Sequence, residues 1–371
     1  MRFSGGIKYF IILLISLVIC LTVSGNLLVM LAFIVDKRLR TQSNFFLLNL
    51  AICDFFIGVF STPLYLPYML TGKWQFGRLV CKLWLVIDYM MCVASVFNIV
   101  LISYDRFLSV TKAVLYRSQQ NSHRSTVIKM GSVWVLSFLL YGPAIIFWGS
   151  IYGQNDISDT LCAAGFYEVW YFNFGTSIID FALPLFSISY FNLSIYWNIK
   201  KRNRKKRCPS GPHHLKENQK RPYIVATNAV LTSTPLHKEK EVLAGVRSRV
   251  KTFSIHCFYS KKISSVPPAD SQTNTHNIQT IKLSRDKKVA KALSVLVCVF
   301  AICWAPYTFV ISIGKACNGQ CVEPYWYEIT VWMLYINSAI NPILYPLCHK
   351  SFKNAFNIIL QMFLKAFRCM K

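Results

Sequence analysis

The chain has 371 residues, is 54% hydrophobic and 15% charged, and its mean hydropathy is +0.39. Soluble domains carry about a quarter charged residues, so this composition excludes an ordinary soluble domain and indicates one that lies in lipid. The formal net charge of +26 does not point to nucleic acid, because 21 of the 41 Lys+Arg but only 5 of the 15 Asp+Glu fall between Lys200 and Lys288.

Apolar stretches long enough to cross a bilayer, about 20 residues each, recur seven times, roughly at 9–35, 43–70, 79–111, 127–148, 168–199, 287–314 and 325–347. The expected fold is an all-α membrane protein, a seven-transmembrane helix bundle. Residues 1–8 form a short N-terminus, 9–199 hold helices one to five, 200–286 form a long basic loop, and 287–347 hold helices six and seven. Residues 348–371 follow as a short amphipathic helix and tail. The opening run has Arg2 and Lys8 at its basic end, as a signal peptide would. Its apolar stretch is too long for that, and Asn26 lies in its middle, so it reads as the first span.

Basic residues mark alternate joints: Lys37, Arg38 and Arg40; Lys112, Arg117 and Arg124; the segment 200–286; and the tail after Cys348. The other joints hold few positive charges. This asymmetry predicts a multi-pass membrane protein with the N-terminus outside and the C-terminus in the cytoplasm. The segment 200–286 is rich in charge and proline and is predicted to be disordered. Its opening run Lys200 to Arg207 suits a solvated helix end, lipid headgroups or a protein partner.

Asp88 stands well inside the third span and Asp180 well inside the fifth. A carboxylate in hydrocarbon costs at least about 2.5–3.5 kcal/mol, so each is a functional-site hypothesis by default. Neither the third nor the fifth span supplies a base near its acid, which points to a ligand with basic or donor groups at two ends. A structural acid bonded to a neighbouring helix is the alternative for Asp88, and a protonated acid for Asp180. Asp88 is seven residues beyond Cys81, about 10 Å along a helix, and Arg106 is about 27 Å further on. One helix therefore joins an acid near the outer mouth to the Asp105-Arg106 pair at the cytoplasmic edge. Cys81, at the outer start of the third span, and Cys162, in the second outer loop, both face the oxidising side, where a bond between them would pin that loop over the bundle mouth. Cys317 and Cys321 flank Asn318-Gly319 and could close a small ring. Cys369 is a palmitoylation candidate.

Gly25-Asn26, Leu50-Ala51-x-x-Asp54, Asp105-Arg106-Phe107, Trp134, Cys303-Trp304-Ala305-Pro306 and Asn341-Pro342-Ile343-Leu344-Tyr345 followed by Phe352 resemble the class A G-protein-coupled receptors. Asp88 in this register, with Tyr335 in the seventh span, looks like the aminergic branch. Asp88-Tyr89-x-x-Cys92, Asp180 four residues before Pro184, and Trp304-Ala305-Pro306-Tyr307-Thr308 resemble the histamine receptors, most of all the third and fourth subtypes. Phe107 stands where the family usually has Tyr, Asp180 where these subtypes have Glu, Tyr335 where they have Trp, and Asn192 in place of a Tyr.

The resemblance implies a receptor, not an enzyme, whose ligand is a small cationic amine, most closely histamine. Asp88, Tyr89, Cys92, Phe166, Thr176, Asp180, Trp304, Tyr307, Thr308 and Tyr335 would bind it. It further implies a Cys81–Cys162 disulfide and no cofactor beyond an allosteric sodium ion in the network of Asp54, Ser95, Asn337 and Asn341. Asp105, Arg106, Asp286, Pro306, Pro342 and Tyr345 would serve activation and coupling to a heterotrimeric G protein of the inhibitory class. Arrestin, receptor kinases and membrane lipid are the further partners implied, and nucleic acid is not one. A light sensor is excluded because 325–347 lacks the lysine a retinal Schiff base needs. A transporter would show repeated halves. A receptor for another biogenic amine, trace-amine or catecholamine-like, is the alternative that Thr176 and Ser177 keep open.

Overall fold

The computed structural model describes residues 5–119, 123–152, 160–207, 270–317, 320–348 and 350–369. In lipid a backbone has no water to bond, so each apolar segment satisfies its own N–H and C=O groups as a helix. Accordingly the longer elements among the described residues are α1 (Gly5–Val35), α2 (Gln42–Thr71), α3 (Gly77–Thr111), α4 (Ala113–Gln119) and α5 (His123–Tyr152). They continue with α6 (Trp170–Arg204), α7 (Asp270–Ala316), α8 (Pro324–Cys348) and α9 (Lys350–Cys369). Among the described residues six helices are long and apolar enough to cross a membrane: α1, α2, α3, α5, α6 and the Ala290–Gly314 part of α7. α8 is as long as that part of α7 but rich in Tyr, Trp, Pro and Asn.

The sequence reading starts the sixth helix at 287 and assigns 270–286 to the loop; the helix instead runs from Asp270. No Gly or Pro occurs between 270 and 305, so nothing in the local chemistry interrupts it after Pro267-Pro268. The chain separates into two compact units, residues 1–207 with 278–371, and 208–277. Of the second only the helical residues 270–277 are described.

α3 packs against α2, α5 and α6, and α1 packs against α2 and α8. The apolar interior falls into two clusters. One surrounds Cys81 and is aromatic, with Tyr65, Trp74, Trp84, Tyr141, Trp148, Phe166 and Tyr335. The other surrounds the far end of α3, with Leu50, Ile99, Ile102, Phe300, Tyr345 and Phe352. Phe352, Ala355 and Ile359 seat α9 against the bundle, and the Phe352 ring lies 5.8 Å from both Phe33 and Tyr345.

Among the described residues two helices carry a π-helical turn, Ile57–Ser61 in α2 and Ile178–Ala182 in α6. Such turns insert a residue into the helical register and are frequent at functional sites. The first brings Gly58 against Thr22 and Val23 of α1, where a Cβ would stand 3.0 Å from both side chains. The second carries Asp180. α2 ends at Gly72, whose φ of 69° closes the helix in the left-handed conformation that glycine adopts without penalty.

Candidate functional site

The aromatic end of the bundle encloses a cavity of about 560 Å³. Asp88, Tyr89 and Cys92 line it from α3, Thr176 and Asp180 from α6, Trp304, Tyr307 and Thr308 from α7, and Tyr335 from α8. The structure thus brings nine of the ten expected ligand residues to one surface. The tenth, Phe166, is not at that surface. It is 1% exposed and sits behind Tyr89, 6.0 Å away ring to ring, packed on Phe172 at 4.4 Å. Phe166 supports the wall because a flat ring in the loop stacks among rings sooner than it faces an open volume.

The two acids differ in their surroundings. Asp88 Oδ1 accepts from the Tyr335 hydroxyl at 3.1 Å. Asp180 Oδ2 accepts from the Tyr141 hydroxyl at 2.6 Å. Among the described residues no Lys, Arg or His lines the cavity. Burying a charge is costly unless it is paired or hydrogen-bonded, so neutral phenols are the donors that hold these carboxylates in place. Among the wall residues that sequence reading missed are Tyr65, Tyr141, Tyr327 and Glu328. Tyr141 stands seven residues from Trp134, and Glu328 seven before Tyr335, two turns along the same helix face; that spacing was the available signal. Tyr65 donates to Glu328 Oε2 at 2.6 Å, and its ring stacks on Trp84 at 5.9 Å.

The loop before α6 covers the cavity. Cys162 is joined to Cys81 with Cα atoms 5.7 Å apart, and Trp74 N donates to Thr160 O at 2.7 Å. Leu161 to Gly165, Tyr167 and Glu168 therefore form part of the wall. Asn173 Nδ2 reaches back to the carbonyls of Phe166, Tyr167 and Val169, which fixes the entry into α6. Burial, then the Glu168 charge, pushes the Tyr167 hydroxyl up, so it meets the cavity neutral. Cys317 and Cys321 are also joined.

Beneath the cavity, fully buried Asp54 accepts from Ser95 Oγ at 3.1 Å and from Asn341 Nδ2 at 2.8 Å. Asn337 is buried in the neighbouring turn of α8. Asn26 Nδ2 bonds the carbonyls of Thr22 and Ser338, while its Oδ1 is buried without a donor among the described residues. A buried carboxylate and an orphaned amide oxygen are donors of the kind hard cations take. Phe181, Phe300 and Trp304 form a run of mutually tilted rings, their centres 6.0 and 5.7 Å apart.

At the far end of α3, Asp105 is 3% exposed. It accepts from Ser43 Oγ at 2.6 Å, the Tyr116 hydroxyl at 3.2 Å and Gln42 Nε2 at 3.4 Å. Burial, then the Asp105 charge, pushes the Tyr116 hydroxyl up to about 12, so it is a donor at neutral pH. Arg106 is half-buried beside it. Arg202 of α6 donates to Val110 O at 2.6 Å. Pro306 lies inside α7 and Pro342 inside α8, where each removes a backbone bond and makes a bend available. The side chains of Asp286 and Cys369 lie outside the described residues.

The family model "7 transmembrane receptor (rhodopsin family)" matches residues 25–345. The human histamine H4 receptor is 40% identical over 359 residues, covering 92% of this chain and 89% of that one. The mouse histamine H4 receptor is 39% identical, covering 90% and 87%. The human muscarinic acetylcholine receptor M1 is 29% identical, covering 91% and 86%.

Proposed function

We propose that this chain, which belongs to the rhodopsin family of seven-transmembrane receptors, is a receptor for histamine that activates a heterotrimeric G protein. The observation that carries this reading is the pair of carboxylates, Asp88 and Asp180, on one cavity with no basic side chain in its lining among the described residues. Histamine supplies what such a cavity lacks, an ammonium at one end and a ring N–H at the other. Asp88 takes the ammonium through a charge-assisted bond, roughly twice as strong as a neutral one. Asp180 accepts from the imidazole, whose N–H is a donor in either charge state. Tyr89, Trp304, Tyr307 and Tyr335 close the space between them.

The basic joints and the oxidised Cys81–Cys162 end support an orientation with the cavity facing outside and Asp105-Arg106 at the cytoplasm. The chain is then a plasma-membrane receptor whose ligand enters past the loop 160–169. Agonist shifts the population of helix arrangements only through a difference in affinity for them. Contacts to Trp304 and Tyr307, which flank Pro306 within one helical turn, are where such a difference would act. The G protein would meet Arg106 in the cleft that opens at the other end, with the inhibitory class, arrestin and receptor kinases following from the family resemblance. Asp54, Ser95, Asn337 and Asn341 would hold a sodium ion, which supplies a positive charge to a buried carboxylate.

Thr176 and Ser177 also line the cavity, and two hydroxyl groups on α6 favour a catechol- or phenol-bearing amine as the second reading. The deciding experiment is a panel of biogenic amines applied to cells expressing this chain, with G-protein activation as the readout. Histamine is expected to be the most potent. A response to catecholamines or trace amines with none to histamine would replace the first reading with the second.

A further inference from the structure

Tyr141 belongs to α5 and is 5% exposed, yet its hydroxyl reaches Asp180 Oδ2 at 2.6 Å. The ring is wedged 4.8 Å from Tyr89 and 5.9 Å from Phe166, so packing fixes the direction in which the hydroxyl points. Asp180 itself rides on the π-helical turn Ile178–Ala182. A buried carboxylate is stable only where donors approach it, and Tyr141 is the side-chain donor seen on Asp180. A ligand that had to order a swinging carboxylate would lose affinity, because immobilising a side chain on binding carries an entropy cost.

Resting on the reading of Asp180 as the acceptor for the ligand's ring, we propose that Tyr141 is the specificity-determining positioning residue of this site. Its phenol holds one oxygen of Asp180 and presents the other to a single N–H donor. The ligand class it selects is an ethylamine bearing an N–H azole. A phenyl ring, or an azole whose ring nitrogens are alkylated or face away, makes no use of this arrangement.

The test uses the full chain in membranes, with Tyr141→Phe, Asp180→Ala and the double variant, and three competitors that share one ethylamine arm. These are histamine, its ring-N-methylated analogue and phenethylamine. Tyr141→Phe keeps the ring and removes only the hydroxyl. It is expected to lower histamine affinity about three- to tenfold while leaving phenethylamine within about twofold, as for the loss of one polar contact. Phenethylamine binding also reports that the variant is folded. In the Asp180→Ala background the further change at Tyr141 is expected to do nothing, because the two residues act as one unit. Equal losses for all three amines, or additive losses in the double variant, would overturn the proposal and leave Tyr141 as packing. Discrimination by Asp180→Ala without discrimination by Tyr141→Phe overturns the inference alone. If Asp180→Ala treats the three amines alike, the ring-acceptor reading of Asp180 fails and this inference with it.

Discussion

Asp88 and Tyr335 form one unit, since the phenol of α8 donates to the carboxylate of α3 at 3.1 Å. A hydrogen bond to a charged group contributes about 1.5–3 kcal/mol when both partners stay buried. Tyr335 orients Asp88 without supplying charge, so Tyr335→Phe is expected to weaken amine binding by roughly tenfold in competition binding and not abolish it. No change would show that Asp88 is held by other groups. Both acids were legible in the sequence, because an isolated carboxylate in an apolar run stands out against hydrocarbon. Tyr335, the phenol partner of Asp88, was legible with it; Tyr141, the partner of Asp180, was not. Tyr141 and Tyr65 sit among many aromatic residues at helical spacings, where core packing is the ordinary reading, and only the tertiary arrangement turns their hydroxyls toward an acid. Phe166 shows the converse: a position suggested by resemblance lies one layer behind the wall.

At the scale of elements, the loop 160–169 owes its place to a covalent tie and a close approach. The Cys81–Cys162 bond spans 81 residues, and linking distant residues restricts the unfolded chain most when the loop is long. Gly165 packs directly onto the Trp148 indole, where any Cβ would collide with the ring. Gly165→Ala is therefore expected to shift Trp148 or the loop, at about 1–3 kcal/mol, and to lower both thermal stability and amine affinity. A thermal-shift measurement on the solubilised receptor checks this; an unchanged midpoint would mean the loop yields freely. Helix existence was readable from apolar length, and the ends of most spans fall within a few residues of the expected ones. The π-helical turns were not readable, because one inserted residue rotates everything beyond it by about 100° while leaving the composition of the span unchanged. The early start of α7 was missed because a charged, polar helix resembles a charged loop in composition.

At the scale of the molecule, α3 links an acid in the cavity to Asp105-Arg106 about 27 Å away. Asp105 is held by Ser43, Tyr116 and Gln42. Asp286 lies twenty residues before Pro306, about 30 Å along α7 at helical rise, and we propose that it restrains Arg106 in the resting state. An ion pair at a wet membrane edge contributes about 1 kcal/mol or less, enough for a several-fold change in basal activity. Asp286→Ala is expected to raise ligand-independent G-protein activation at equal surface expression, and Arg106→Ala to uncouple the receptor while agonist still binds. Basal activity equal to the parent would remove this role from Asp286.

The central claim is that Asp88 is the counter-charge for the ligand amine. Removing one partner of a buried charge pair costs about 3–5 kcal/mol, equivalent to a loss of two to four orders of magnitude at about 1.36 kcal/mol per tenfold. The direct measurement is saturation binding of labelled histamine to Asp88→Asn and to the parent chain at matched surface expression. Specific binding is expected to disappear in Asp88→Asn while the protein still reaches the membrane; unchanged histamine affinity in that variant would show that Asp88 is not the counter-charge.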